Sequence, residues 1–134
     1  MIAFIAAWLA VAATFLVLDF LWLGVIARKF YRSAAGPVLA DSFGKAPAAV
    51  FYLIYVTGIV IFALAAPLFG VGVAAAGGQG ALFGFFAYAA VNFTNASVLS
   101  AWPMRLAIVD TIWGTVLTGV SAAAGAWALV AAGG

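Results

Sequence analysis

Four apolar runs, each about twenty residues or longer, fill most of this chain and constrain its fold more than any motif does. Between and within them lie only five basic and three acidic side chains among 134 residues, a charged fraction of 6% against a hydrophobic fraction of 69%. Ordinary globular domains carry about 25% charged residues, so this chain cannot cover a water-facing surface. A hydrocarbon core about 30 Å thick takes roughly 20 apolar residues per helix. The expected fold is therefore all-α, a polytopic integral membrane four-helix bundle in which residues 1–134 make a single membrane domain. The spans are predicted at about 2–27, 47–67, 79–100 and 104–132. The first run lacks a basic leader and exceeds the roughly 7–15-residue core of a signal peptide, so it is expected to be a retained span.

The connections differ in chemistry. The stretch RKFYRSAAGPVLADSFGKAP holds four of the five basic residues. It can lie along the interface as a short helix with Phe30, Tyr31, Val38, Leu39 and Phe43 toward lipid, broken at Gly36-Pro37. The glycine-rich LFGVGVAAAGGQG reads as a short flexible turn, and AWPM as a tight connection with proline at a helix start. Lys and Arg mark cytoplasmic loops. Arg28, Lys29, Arg32 and Lys45 fall in the first loop and Arg105 in the third. Loops 28–46 and 101–105 are thus expected in the cytoplasm, with both termini on the non-cytoplasmic side. Trp8 and Trp127 would then mark the outer interface and Trp102 the inner one.

Composition also narrows the chemistry. With no cysteine and no histidine, thiol catalysis, thiolate metal sites and the commonest haem, metal and proton-relay ligand are missing. Lys29 and Lys45 lie outside the predicted spans, so a buried Schiff base has no candidate. No dinucleotide fingerprint is present. No cofactor, no metal site and no nucleic-acid partner is expected.

Asp19 sits in the first run with no other charge before Arg28, and an ionised carboxylate inside a bilayer is expensive. Counting about 1.5 Å per helical residue from the cytoplasmic ends of the spans places Asp19 roughly 13 Å deep and Trp22 roughly 9 Å deep. On the fourth span Asp110 falls at roughly 8 Å and Trp113 at roughly 12 Å. The stretches DFLW and DTIW run in opposite directions, which sets Asp19 level with Trp113 and Trp22 level with Asp110. Asn92 and Asn95 on the third span, and Tyr55 and Tyr52 on the second, fill the same two layers, with Thr94 and Thr111 close by. At the depth of Asp19 the expected partners are Trp113, Asn92 and Tyr55. On the fourth span Gly114, Thr118, Ser121 and Gly125 recur at helical spacing, a face suited to close helix packing.

Two readings of the polar layers compete. In one, neutral donors satisfy the carboxylates and lock four helices in register. In the other, intramembrane acids mark a pocket, and two close carboxylates hold a proton between them for acid–base work, with Asp19 and Asp110 as candidate catalytic groups. Arg28, Lys29, Arg32 and Arg105 form a basic rim suited to anionic lipid head groups or serving only to set topology.

The ordered series LDFLWLG, ARKFYR, FYLIYVTG, AYAAVNFTNASVL and WP followed by VDTIWGT resembles a group of small four-helix bacterial membrane proteins, domain-of-unknown-function family 2177. The resemblance spans nearly the whole chain and implies a bacterial cytoplasmic (inner) membrane location. It implies characteristic residues at Asp19, Trp22, Tyr55, Thr94, Asn95, Trp102, Pro103, Asp110, Trp113 and Gly114, and it carries no established activity. Asn92 stands where family members often carry an aspartate, which weakens any mechanism needing three acids.

Three functions are in view. The first is a pocket lined by Asp19, Trp22, Tyr52, Tyr55, Asn92, Thr94, Asn95, Asp110 and Trp113 that admits a lipid or small amphiphile, with carboxylate acid–base chemistry as an extension. The second is an accessory or scaffold subunit packing against a larger membrane protein complex, or against its own copies. Third comes proton or small-solute transport, disfavoured because beyond Thr57, Thr118 and Ser121 little polar lining leads outward.

Overall fold

Long uninterrupted apolar segments with no water to serve their backbone must satisfy every N–H and C=O internally, and in this chain they do so as helices. The computed structural model describes residues 1–40, 42, 44–65 and 68–134, and among these there is no strand. Helix α1 (Ile2–Leu21) continues through a π-helical turn at Trp22–Ile26, and α2 (Arg28–Ala35) follows directly. Helix α3 (Lys45–Ile59) continues through a π-helical stretch at Val60–Ala65. The long helices α4 (Val73–Val98) and α5 (Met104–Ala131) complete the chain. Four segments are long and apolar enough to cross a membrane: Ile2–Ile26, Lys45–Ala65, Val73–Val98 and Met104–Ala131.

The third of these starts well before the expected residue 79, because the AAAGG stretch is helix rather than flexible turn. Glycine disfavours an isolated helix by about 1 kcal/mol each, and here tertiary contact overrides that preference. Gly77 faces Ala123 and Gly119, and Gly80 faces Ala122 and Thr118 of α5. The real break falls at Gly70 and Gly72, both at positive φ (102° and 110°) that side chains rarely adopt. The second span begins at Lys45 rather than Pro47, which lies inside its first turn where a missing N–H costs nothing. Its expected end at Pro67 lies outside the described residues, as do Asp41 and Phe43 of the first loop.

Helix α5 is the centre of the bundle, packed along α4 on one side and α1 on another. The face bearing Gly114, Thr118, Ser121 and Gly125 is buried, but it serves two neighbours. Gly114 lies under the Tyr88 ring of α4, whereas Gly125 meets Val11 of α1. Helix α3 leans on α1, and its π-helical end reaches α4 and α5. That end is tied by Gln79, whose Nε2 donates to Ala63 O at 2.8 Å while its Oε1 accepts the backbone N–H groups of Leu68 and Phe69. One buried amide side chain thereby satisfies backbone groups released where a helix stops between two spans. At the opposite end, the loop segment forms the short helix α2, stopped by a 3-10 turn at Gly36–Val38.

Candidate functional site

The two intramembrane carboxylates lie at the same end of the bundle as α2. Asp19, on the last turn of α1, is only 7% exposed. Its Oδ2 accepts a hydrogen bond from Tyr52 Oη of α3 at 2.8 Å, and its Oδ1 accepts one from Trp113 Nε1 of α5 at 3.2 Å. Asp110, on α5, is half-buried. Tyr31 Oη of α2 donates to its Oδ1 and Asn92 Nδ2 of α4 donates to its Oδ2, both at 2.7 Å. All four donors are neutral, and they come from four different helices. Each carboxylate therefore ties α1 or α5 to its neighbours through hydrogen bonds to a group that is strongly favoured as an acceptor.

A second layer orients these donors. Trp22 Nε1 donates to Tyr31 Oη at 3.0 Å, and Trp102 Nε1 donates to Asn92 Oδ1 at 3.3 Å. The amide of Asn92, fully buried, also donates to Tyr88 O at 2.9 Å. The indoles of Trp22 and Trp113 stack with centroids 4.5 Å apart and planes 10° from parallel. The two D-x-x-W stretches thus meet as an antiparallel pair: Asp19 reaches Trp113 directly, and Trp22 reaches Asp110 through Tyr31.

Several expected placements change. Asn92 serves Asp110 and not Asp19, one layer away from where depth counting puts it. Tyr55 does not reach Asp19; its hydroxyl pairs with Thr118 Oγ1 at 2.8 Å, and Tyr52 takes the carboxylate instead. Thr94 is exposed and Asn95 half-buried, and among the described residues neither is hydrogen-bonded to a carboxylate. Thr94 lies two positions from Asn92, which is about 200° around the helix and so on the opposite face. Thr111 is buried, and its hydroxyl has no partner among the described residues. Asp19 and Asp110 share no donor, so the geometry does not place one proton between them.

Among the donors to the two carboxylates, Tyr31 is the one that sequence reasoning missed, having assigned it to lipid. No signal in the sequence marks it, because an aromatic residue on an interfacial helix does not show which of its faces is docked. Burial, and then the charge of Asp110, push its phenol above the usual tyrosine range, so it remains a donor across ordinary pH. Trp102 also turns inward to Asn92 rather than serving only as an interface anchor. Of the basic rim, Arg28 and Arg32 line a groove beside Tyr31. Arg105 instead lies over the Phe30 ring, 6.0 Å from its centroid. Lys29 is exposed.

A cavity of about 330 Å³ opens beside Asp110, lined by Phe51 and Tyr55 of α3, Ala87, Tyr88 and Val91 of α4, and Asp110 itself. Its walls are apolar and aromatic, with one carboxylate among them. Each Asp110 oxygen accepts one bond from the protein, and a carboxylate oxygen can accept more than one. Such an arrangement can receive a hydrogen-bond donor or a cation at one end of an apolar molecule. Among the described residues no three acid, histidine or cysteine side chains gather as a metal site.

No curated protein and no solved structure matches this chain. A family match covers residues 4–127, a stretch that includes both carboxylates and every donor described above. The chain belongs to the family described as predicted membrane protein (DUF2177).

Proposed function

We propose that this protein binds a membrane amphiphile, admitted sideways between α3 and α4, with its apolar tail along Phe51, Ala87 and Val91 and its donor-bearing head at Asp110. The observation that carries this reading is the position of Asp110 in the wall of an otherwise apolar cavity. That cavity, at about 330 Å³, falls within the roughly 300–1,000 Å³ range of small-molecule sites. A carboxylate favours a head group carrying an amine or hydroxyl. The Lys and Arg bias supports placing this end in the cytoplasmic leaflet.

In this reading Asp19 is a structural acceptor, enclosed by Tyr52 and Trp113, and Asp110 is the ligand-facing group. Acid–base chemistry would fall to Asp110, since it alone of the two borders the cavity. Photo-crosslinking of the full chain in liposomes with a photoactivatable long-chain amine tests the proposal. Labelling is expected on the segments around Phe51 and Val91, and it should fall in both Asp110→Asn and the cavity-filling Ala87→Leu. Undiminished labelling in a folded Ala87→Leu protein would overturn it.

A further inference from the structure

A second recess lies outside the Asp110 cavity, between the π-helical end of the first span and α2. It encloses about 540 Å³, with Phe20, Leu23 and Gly24 on the span side and Arg28, Tyr31 and Arg32 on the α2 side. Its two halves differ in chemistry. The span side is hydrocarbon, and the α2 side carries two guanidinium groups four residues apart, which makes them neighbours on one helix face. Both arginines are exposed. The intramembrane carboxylates take neutral donors, so their charges are not used to balance these arginines.

Gly24 opens the floor of the recess. A Cβ there would meet only the Phe20 ring, at 3.7 Å, so a larger side chain would occupy the groove instead of clashing with backbone. The π-helical turn keeps α2 directly against this segment, with Ala27 N donating to Trp22 O at 2.7 Å. Tyr31 forms part of the recess and donates to Asp110 on its inner side. α2 is thus anchored to the bundle from within while its arginines face the recess.

We infer that this groove holds an anionic phospholipid, its phosphate between Arg28 and Arg32 and an acyl chain along Phe20, Leu23 and Gly24. Guanidinium pairs match phosphate oxygens in geometry and charge, and the apolar floor distinguishes a lipid from a free anion. Lys29 does not line the recess, and Arg105 is engaged with Phe30, so the site is a specific pair and not the whole basic rim. The inference is independent of what the Asp110 cavity binds.

The test is native mass spectrometry of the full-length protein released from membranes of phosphatidylcholine containing phosphatidylglycerol. Phosphatidylglycerol is expected to be retained preferentially. One basic residue near an anionic surface contributes about fivefold in affinity, so Arg28→Gln with Arg32→Gln should lower retention on the order of twentyfold. Lys29→Gln with Lys45→Gln removes the same formal charge from residues that lie off the groove, and should lower retention clearly less than the arginine pair does. Gly24→Leu keeps both arginines and should also displace the lipid, which keeps the test decisive if the double arginine variant fails to fold. No preference in the wild type, equal losses in the two double variants, or full retention in folded Gly24→Leu would each overturn the inference. So would complete displacement of phosphatidylglycerol by inorganic phosphate, which would mark a free-anion site.

Discussion

Helix α5 meets α4 and α3 in opposite ways. Against α4 it packs almost backbone to backbone. A Cβ on Gly84 would lie 2.5 Å from Gly114 O, and one on Gly80 would overlap Ala122 Cβ and lie 2.8 Å from Thr118 O. Toward α3 the space is filled by rings. Tyr55 has centroid distances of 5.3 Å to Phe15, 5.5 Å to Phe83 and 6.0 Å to Tyr88. In lipid there is no hydrophobic force between helices, so association depends on van der Waals contact and interhelical hydrogen bonds. The α4–α5 seam uses the first, whereas α3 leans on the second, bonding to α5 through Tyr55–Thr118 and to α1 through Tyr52–Asp19. Close packing leaves no room for a ligand, whereas ring packing leaves the cavity beside Asp110. Tyr88 belongs to both, covering Gly114 and bordering the cavity.

The largest expected effect is on the seam. Gly84→Val drives a side chain into the carbonyl of Gly114, and α4 must part from α5. The expected cost is about 3 kcal/mol or more, read by denaturant titration in mixed micelles. Gly77→Ala on the same helix is the control, because its new Cβ would sit at ordinary contact, 3.5 Å from Ala123 Cβ. It should be neutral, or stabilising by up to about 1 kcal/mol through helix propensity. Similar losses in both variants would mean that the seam is not the rigid element.

Tyr52→Phe should have a middle-sized effect. It removes one of the two donors on Asp19 while keeping the ring, at an expected cost of about 1 kcal/mol in the same titration. A loss as large as that of Gly84→Val would erase the contrast between the α4–α5 seam and the hydrogen-bonded packing of α3. The smallest global effect is expected from Tyr31→Phe, since α2 lies outside the spans. Stability should shift by about 0.6 kcal/mol, while hydrogen exchange across Arg28–Ala35 rises as α2 loses its anchor to Asp110. Unchanged exchange there would show that α2 is held by Ala34, Ala35 and Leu106 packing alone.

Much of the bundle is legible in the sequence, and the reasons are specific. Scarce charge and four apolar runs leave only membrane helices, and proline and glycine mark most of their ends. Asp19 and Asp110 stand out because a carboxylate in a span needs a partner, and depth counting pairs Asp19 with Trp113 because a helix rises uniformly. The same counting misplaces Asn92 and Tyr55 by one turn. Depth gives a layer, but the choice between Tyr52 and Tyr55 depends on rotation and tilt, which only packing sets. Tyr31 was hidden for a related reason, as an interfacial helix shows an aromatic residue without showing which of its faces is docked.

The glycine-rich stretch before Gln79 marks where sequence and tertiary structure part. Local propensity reads it as a turn, and contact with α5 makes it helix: Gly77 packs at ordinary distance on Ala123, and Gly80 and Gly84, further along, approach α5 as closely as only glycine can. What the sequence by itself determined is the number of spans, the positions of the acids along them and the concentration of basic residues at one end. These follow from hydropathy and from the fixed rise of a helix. Tertiary structure alone decided which donor serves which carboxylate, that Asp19 is enclosed while Asp110 borders a cavity, and that Arg28 and Arg32 share a groove. Those outcomes depend on the rotation of each helix about its axis, which is settled by the fit of side chains between helices and not by the order of residues along any one of them.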